Sequence, residues 1–127
     1  MKKVILAVGI PLVLIAILTI PLLNQGGYQN VTPDWVQNKL EHGDKLMLID
    51  VREPSEYARG HLPGAVLIPL GVVEQQAAQL DPQQDYVIYC FSGDRSEEAA
   101  KILSQKGFKH IKNMTGGLLN YKGPLVR

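Results

Sequence analysis

After Lys2 and Lys3 no charged residue occurs until Asp34, and Val4 to Leu23 is apolar except for Thr19. Gly9, Pro11 and Pro21 interrupt the stretch. About 20 residues rising ~1.5 Å each cover the ~30 Å of a bilayer's hydrocarbon. The segment has no polar face, so it is a poor candidate for part of a soluble fold. Two readings compete. A secretory signal has a shorter apolar region of ~7–15 residues and a small-residue cleavage site. This stretch is longer, and Leu22-Leu23-Asn24-Gln25 offers no such site, which favours an uncleaved N-terminal hydrophobic helix acting as a membrane anchor. Lys2 and Lys3 should stay cytoplasmic. In a bacterium the expectation is a single pass through the inner membrane at residues 4–23, with the rest of the chain facing the periplasm. Cleavage would instead leave a soluble periplasmic protein. The expected organisation is therefore a segment 1–23, a short flexible linker 24–30 containing Gly26 and Gly27, and one globular domain 31–127.

Composition supports a folded domain. Of 127 residues, 46% are apolar and 20% charged, outside the range of disordered chains. The formal net charge of +1 gives no basic surface for nucleic acid. Cys90 is the one cysteine, which excludes an internal disulfide and any multi-cysteine metal site. His42, His61 and His110 show no ligand spacing, so no metal site is expected.

Within the domain, Thr32-Pro33-Asp34 opens a helix with a capping hydroxyl, a proline at its first position and an acid in its first turn. Trp35, Val36 and Leu40 form its apolar side, and Gly43 ends it. Leu46 to Ile49 is a continuous apolar run ending at Asp50, as in strands buried on both faces of a parallel sheet. A short helix over Pro54 to Arg59, a strand over Ala65 to Ile68, and a helix over Leu70 to Leu80 with Val72, Val73, Ala77 and Leu80 inward should follow. Tyr86 to Tyr89 is the most strand-like run. Ser96 to Lys106 reads as a helix burying Ala99, Ala100, Ile102 and Leu103, closed by Gly107. A last strand is expected over His110 to Asn113. Strands alternating with helices imply an α/β fold, a small central parallel sheet covered on both faces.

The segment Cys90-Phe91-Ser92-Gly93-Asp94-Arg95-Ser96 carries the chemistry. It follows the central strand and leads straight into a helix, where ligands bind in open α/β sheets. Backbone N–H groups and the helix dipole there favour an anion, including a thiolate, the nucleophilic form of cysteine. Gly93 permits backbone geometry that a side chain would block, and Arg95 offers a cationic fork. The bland alternative is an inert buried cysteine.

Cys-x-x-Gly-x-Arg-Ser resembles the active loop of single-domain rhodanese-like sulfurtransferases. Asp50-Val51-Arg52-Glu53-Pro54-Ser55-Glu56-Tyr57, Gly60-His61-Leu62-Pro63-Gly64-Ala65 and Ile68-Pro69 are similar to that family's upstream signature. Gly116-Gly117, Tyr121 and Gly123-Pro124 resemble its C-terminal pattern, with Tyr121 where tryptophan is more usual. The resemblance implies a rhodanese-like three-layer fold and a persulfide mechanism at Cys90 without metal or organic cofactor. The donor would be thiosulfate, another small sulfur-containing anion or a persulfide. The acceptor would be cyanide, a thiol or a partner protein. Arg95 would hold the donor or the loop, and Ser92 could add a hydroxyl near the sulfur. Cysteine phosphatases place five residues between Cys and Arg; here four separate Cys90 from Arg95, a smaller ring that suits sulfur. Phe91 stands where many relatives carry a basic residue. With Asp94, Glu97 and Glu98 it weakens attraction for a dianion.

Asp50 is expected to support the site by bonding loop amides or an arginine. Arg52, Glu53 and Arg59 are expected in exposed or structural ion pairs. His61 should fix its loop, and Gly116-Gly117 should meet a turn requirement rather than cradle phosphate. Two other classes of function remain open: a non-catalytic rhodanese module for partner binding, and a thiol redox sensor using Cys90.

Overall fold

A computed structural model describes residues 27–127. The expected hydrophobic helix and anchor lie outside these residues. Among the described residues no helix is long and apolar enough to cross a membrane.

Five strands form one parallel sheet: β1 (Gln29–Val31), β2 (Leu48–Asp50), β3 (Val66–Leu67), β4 (Tyr86–Tyr89) and β5 (Ile111–Met114), in the order β1-β5-β4-β2-β3. Four α-helices connect them: α1 (Pro33–Glu41), α2 (Pro54–Arg59), α3 (Leu70–Gln76) and α4 (Asp94–Gln105). β4 is central, and all four of its residues are buried. Its alternation sorts the core into two layers. Tyr86, Ile88 and Cys90 face a cluster with Val73, Ala77, Ala99, Ala100 and Leu103, under α3 and α4. Val87 and Tyr89 face Val36, Leu48, Leu62, Ala65 and Met114, under α1 and α2. Cys90 thus continues the side of the sheet covered by α4, which aims its sulfur at that helix's first turn.

Local chemistry explains the element ends. Thr32 Oγ1 accepts the Trp35 N–H at 3.0 Å and caps α1. α4 starts at Asp94, two residues earlier than its apolar pattern indicates, with Gly93 at φ +109° as its N-cap. That early start draws the end of the reactive loop into the helix.

Several expectations need correction. β1 takes up Gln29 and Asn30, which the sequence reading gives to the linker. These polar residues form an edge strand because their backbone pairs with β5, 83 residues away at Asn30↔Asn113. The strand expected at Ala65–Ile68 is shorter, Val66–Leu67, and the last strand is shifted by one to Ile111–Met114. The helix expected through Leu80 tightens after Gln76 into a 3-10 turn at Ala77–Gln79. Val72 faces outward, 37% exposed, so Val73 and Ala77 supply the buried contacts.

Candidate active site

Cys90 leaves the carboxyl end of β4 with its side chain fully buried. The chain then curls back so that two amides face the sulfur. Gly93 N–H donates to Sγ at 3.1 Å and Ser96 N–H at 3.4 Å. The N-terminus of α4 adds its partial positive charge on the same side. Ser96 Oγ stands 3.5 Å from Sγ and donates to the Gly93 carbonyl at 3.1 Å. A hydroxyl proton rotates freely between acceptors, so a charged sulfur can draw it away from that carbonyl. The hydroxyl beside the sulfur is therefore that of Ser96. Ser92, expected there, is exposed.

The loop and the segment bonded to it also carry exposed apolar side chains. Phe91 is 46% exposed and Leu119 62%. They are joined by the Leu119 N–H, which donates to the Phe91 carbonyl at 2.9 Å. Leu118 N–H likewise donates to the Cys90 carbonyl at 3.0 Å. This short 3-10 segment, Gly117–Asn120, clamps the loop from behind. Gly117, at φ +61°, sits so close that an added Cβ would lie 2.4 Å from the Phe91 oxygen and 2.6 Å from the Cys90 oxygen. Gly116 and Gly117 thus do more than turn the chain: they let it press on the reactive loop. Their spacing as a glycine pair marks a special backbone, but nothing local identifies Cys90 as the neighbour.

Arg95 does not point a free cation at the sulfur. Its Nη1 and Nη2 donate to Glu56 Oε1 and Oε2 at 2.8 and 3.1 Å, a bidentate pair. Glu56 also accepts the Glu53 N–H at 3.1 Å, a capping bond within α2, and the Arg95 pair ties that helix to the loop. The Arg95 hydrogen bonds hold the Glu56 carboxyl down at about 2, against the opposing effect of burial. Glu56 is the partner that the sequence reading missed: the signature contains it, but pairing across 39 residues leaves no local signal.

Asp50 and Arg52 form a separate buried unit under the site. Asp50 accepts the Arg52 N–H at 2.9 Å and the guanidinium at 2.7 to 3.1 Å. Arg52 Nη2 then donates to the Gly60 carbonyl at 2.7 Å. Arg52 is only 5% exposed, so it belongs to the interior. Next to them, Tyr89 accepts the Leu62 N–H at 3.0 Å. Burial first, then the Asp50 charge, push its phenol up, which keeps it neutral. His61 Nδ1–H donates to the Tyr57 carbonyl at 2.9 Å, and the two rings stack with centroids 3.7 Å apart. These residues join the strand β2 end to the segment 60–65 and present no group to the sulfur. The geometry gives a recessed thiol in an amide cradle, in a loop whose arginine is neutralised by Glu56.

Comparisons with known proteins identify the domain. The family model of the rhodanese-like domain matches residues 32–123. The thiosulfate sulfurtransferase PspE of Escherichia coli is 38% identical over 81 residues, covering 62% of this chain and 77% of PspE. YrkF of Bacillus subtilis is 36% identical over 100 residues, 79% of this chain, and the chain spans 54% of YrkF. Among solved structures, SSP1007 of Staphylococcus saprophyticus superposes with a TM-score of 0.73 at 26% identity, covering 78% of this chain and 99% of that one. The match runs from the cap of α1 to just past the C-terminal clamp and includes the Cys90 loop, and the chain belongs to the rhodanese-like domain family.

Proposed function

We propose that the chain is a sulfurtransferase that carries sulfane sulfur on Cys90. The observation behind this reading is the pair of amides, Gly93 and Ser96, directed at Sγ at the head of α4. They stabilise a negative sulfur before and after loading, a preorganised electrostatic site. The Cys90 thiolate attacks the outer sulfur of thiosulfate. The S–S bond of the donor breaks, sulfite leaves with its electron pair, and a Cys90 persulfide forms. A thiolate or cyanide then attacks the outer persulfide sulfur, and the electron pair of that S–S bond returns to Sγ. Neither step needs a redox partner. Because Arg95 is committed to Glu56, its part is to brace the loop. The name of PspE supports thiosulfate as a donor, and Glu56–Arg95 pairing leaves the amide cradle as the attraction for it.

The same reading places residues 4–23 in the bacterial inner membrane with the domain in the periplasm, on the strength of the apolar stretch behind Lys2 and Lys3. Purified protein given thiosulfate and cyanide should produce thiocyanate, and Cys90→Ser should produce none. Equal rates in the two proteins would sink the mechanism. A reporter fused after Arg127 should read out as periplasmic; a cytoplasmic signal would overturn the placement.

A further inference from the structure

The loop Cys90–Ser96 contains one cation, Arg95. Phe91 beside the cysteine is uncharged, and the exposed Asp94, Glu97 and Glu98 follow at the head of α4. Asp50 and Arg52 cancel each other in their own buried pair. What the loop offers a charged donor therefore depends on Arg95, and Arg95 is held by Glu56.

The Arg95 side chain is 35% exposed and that of Glu56 23%. At that depth salt screens a charge less than on the open surface. The guanidinium lies within electrostatic reach of the sulfur. The Glu56 hydrogen bonds first, then the charges of Glu56, Cys90 and Asp50, hold Arg95 above the ordinary guanidinium range against the effect of burial. The Glu56 carboxyl, held down at about 2, is fully ionised near neutral pH. The one cation of the loop thus meets a full negative charge at 2.8 Å. Two of its five N–H groups serve the pair. The other three lie outside it, so Glu56 removes charge from the site rather than hydrogen-bonding capacity.

That balance bears on the loading step. The Gly93 and Ser96 amides and the head of α4 suit one negative sulfur. Thiosulfate brings two negative charges to a thiolate that already carries one. An unpaired Arg95 would offset the second charge; a cancelled Arg95 does not. A sulfane donor with one charge fewer avoids that cost. Thiosulfonates, R–SO2–S⁻, and organic persulfides, R–S–S⁻, are donors of this class.

We infer that Glu56 is a specificity-determining residue that sorts sulfur donors by charge: by cancelling Arg95 it handicaps dianionic thiosulfate relative to singly charged thiosulfonates and persulfides. The inference rests on the persulfide reading of Cys90. The Cys90 thiolate attacks the terminal sulfur of either donor and a new S–S bond forms. The donor's own S–S bond breaks, and its electron pair leaves on a sulfinate or on the donor thiolate. The product is the Cys90 persulfide, with no net oxidation or reduction.

The test uses the full chain and two donors of similar shape, thiosulfate and methanethiosulfonate, in which a methyl group replaces one charged oxygen. Gain of one sulfur in the intact mass is followed over time with no acceptor present. The readout is the ratio of loading rates, thiosulfate over methanethiosulfonate, so that intrinsic donor reactivity and any loosening of the loop cancel between proteins. Glu56→Gln keeps the length of the side chain and removes its charge. Its ratio should rise roughly 3- to 10-fold above wild type, the size of one unit charge acting on another over about 6–8 Å at an effective dielectric of ~40–60. The rise should shrink in ~1 M salt. Arg95→Gln leaves Glu56 uncancelled, and its ratio should fall below wild type, so either variant decides the point if the other does not fold. Ratios equal to wild type would mean that the pair only braces the loop, and would overturn the inference while leaving the persulfide reading intact. A wild-type chain that loads sulfur from neither donor would overturn both.

Discussion

Gly117→Ala tests how the clamp holds the reactive loop. The added Cβ would stand 2.4 Å from the Phe91 oxygen and 2.6 Å from the Cys90 oxygen, where contacts under 3.0 Å do not occur. Both obstructing atoms are backbone, so either the loop or the 3-10 segment must retreat by about 0.6 Å. Such overpacking costs ~1–3 kcal/mol. The left-handed conformation, at φ +61°, adds ~1–2 kcal/mol for a residue with a side chain. The hydrogen bonds from Leu118 and Leu119 to the Cys90 and Phe91 carbonyls lengthen as well. The total is about 2–5 kcal/mol. Gly43→Ala supplies the control, because Gly43 has φ +79° and open space where its Cβ would go. It should lose only the ~1–2 kcal/mol of backbone strain. Unfolding free energies from urea titration should therefore differ between the two variants by ~1–3 kcal/mol, roughly 4–8 °C in melting temperature for each kcal/mol. Sulfur transfer by Gly117→Ala should drop at least ~10-fold, since sub-ångström displacement of a cradle is felt at the reacting atom. Equal stability losses in the two variants would refute the clamp.

Three further outcomes follow from the site. Asp50→Asn leaves the buried Arg52 guanidinium without its counter-charge and should cost about 3 kcal/mol, read as a lower denaturant midpoint; a loss under ~1 kcal/mol would contradict the buried pair. Glu56 titrates at about 2 in the folded chain against an ordinary value of 4.5, so its contribution is fully present above pH ~4.5 and is lost as pH falls toward ~2. Wild type should then lose more stability than Glu56→Gln between pH ~5 and ~3 in urea titrations, and parallel curves would exclude the Arg95 pairing. Ser96→Ala removes the hydroxyl 3.5 Å from Sγ and should slow sulfur loading roughly 5- to 10-fold, about one hydrogen bond, while loss of its bond to the Gly93 carbonyl costs ~1 kcal/mol of stability; an unchanged rate would leave the hydroxyl no part in the chemistry.

What was legible in the sequence was local. Tyr86–Tyr89 is apolar throughout because β4 is buried on both faces, and the loop after it announces itself by cysteine, glycine and arginine at fixed spacing. α1 carries its own start signal in Thr32-Pro33-Asp34. What was not legible depends on partners distant along the chain. Gln29–Val31 has no apolar alternation, and only the edge of β5 makes it a strand. Arg95 reads as a free fork until α2 brings Glu56 to it.

The central claim is that Cys90 carries the transferred sulfur. Intact mass of the protein after exposure to thiosulfate, and separately to polysulfide, measures it directly. The account predicts a gain of one sulfur atom on the wild type, reversed by cyanide and absent from Cys90→Ser. No gain from either donor, or an equal gain on Cys90→Ser, would contradict it.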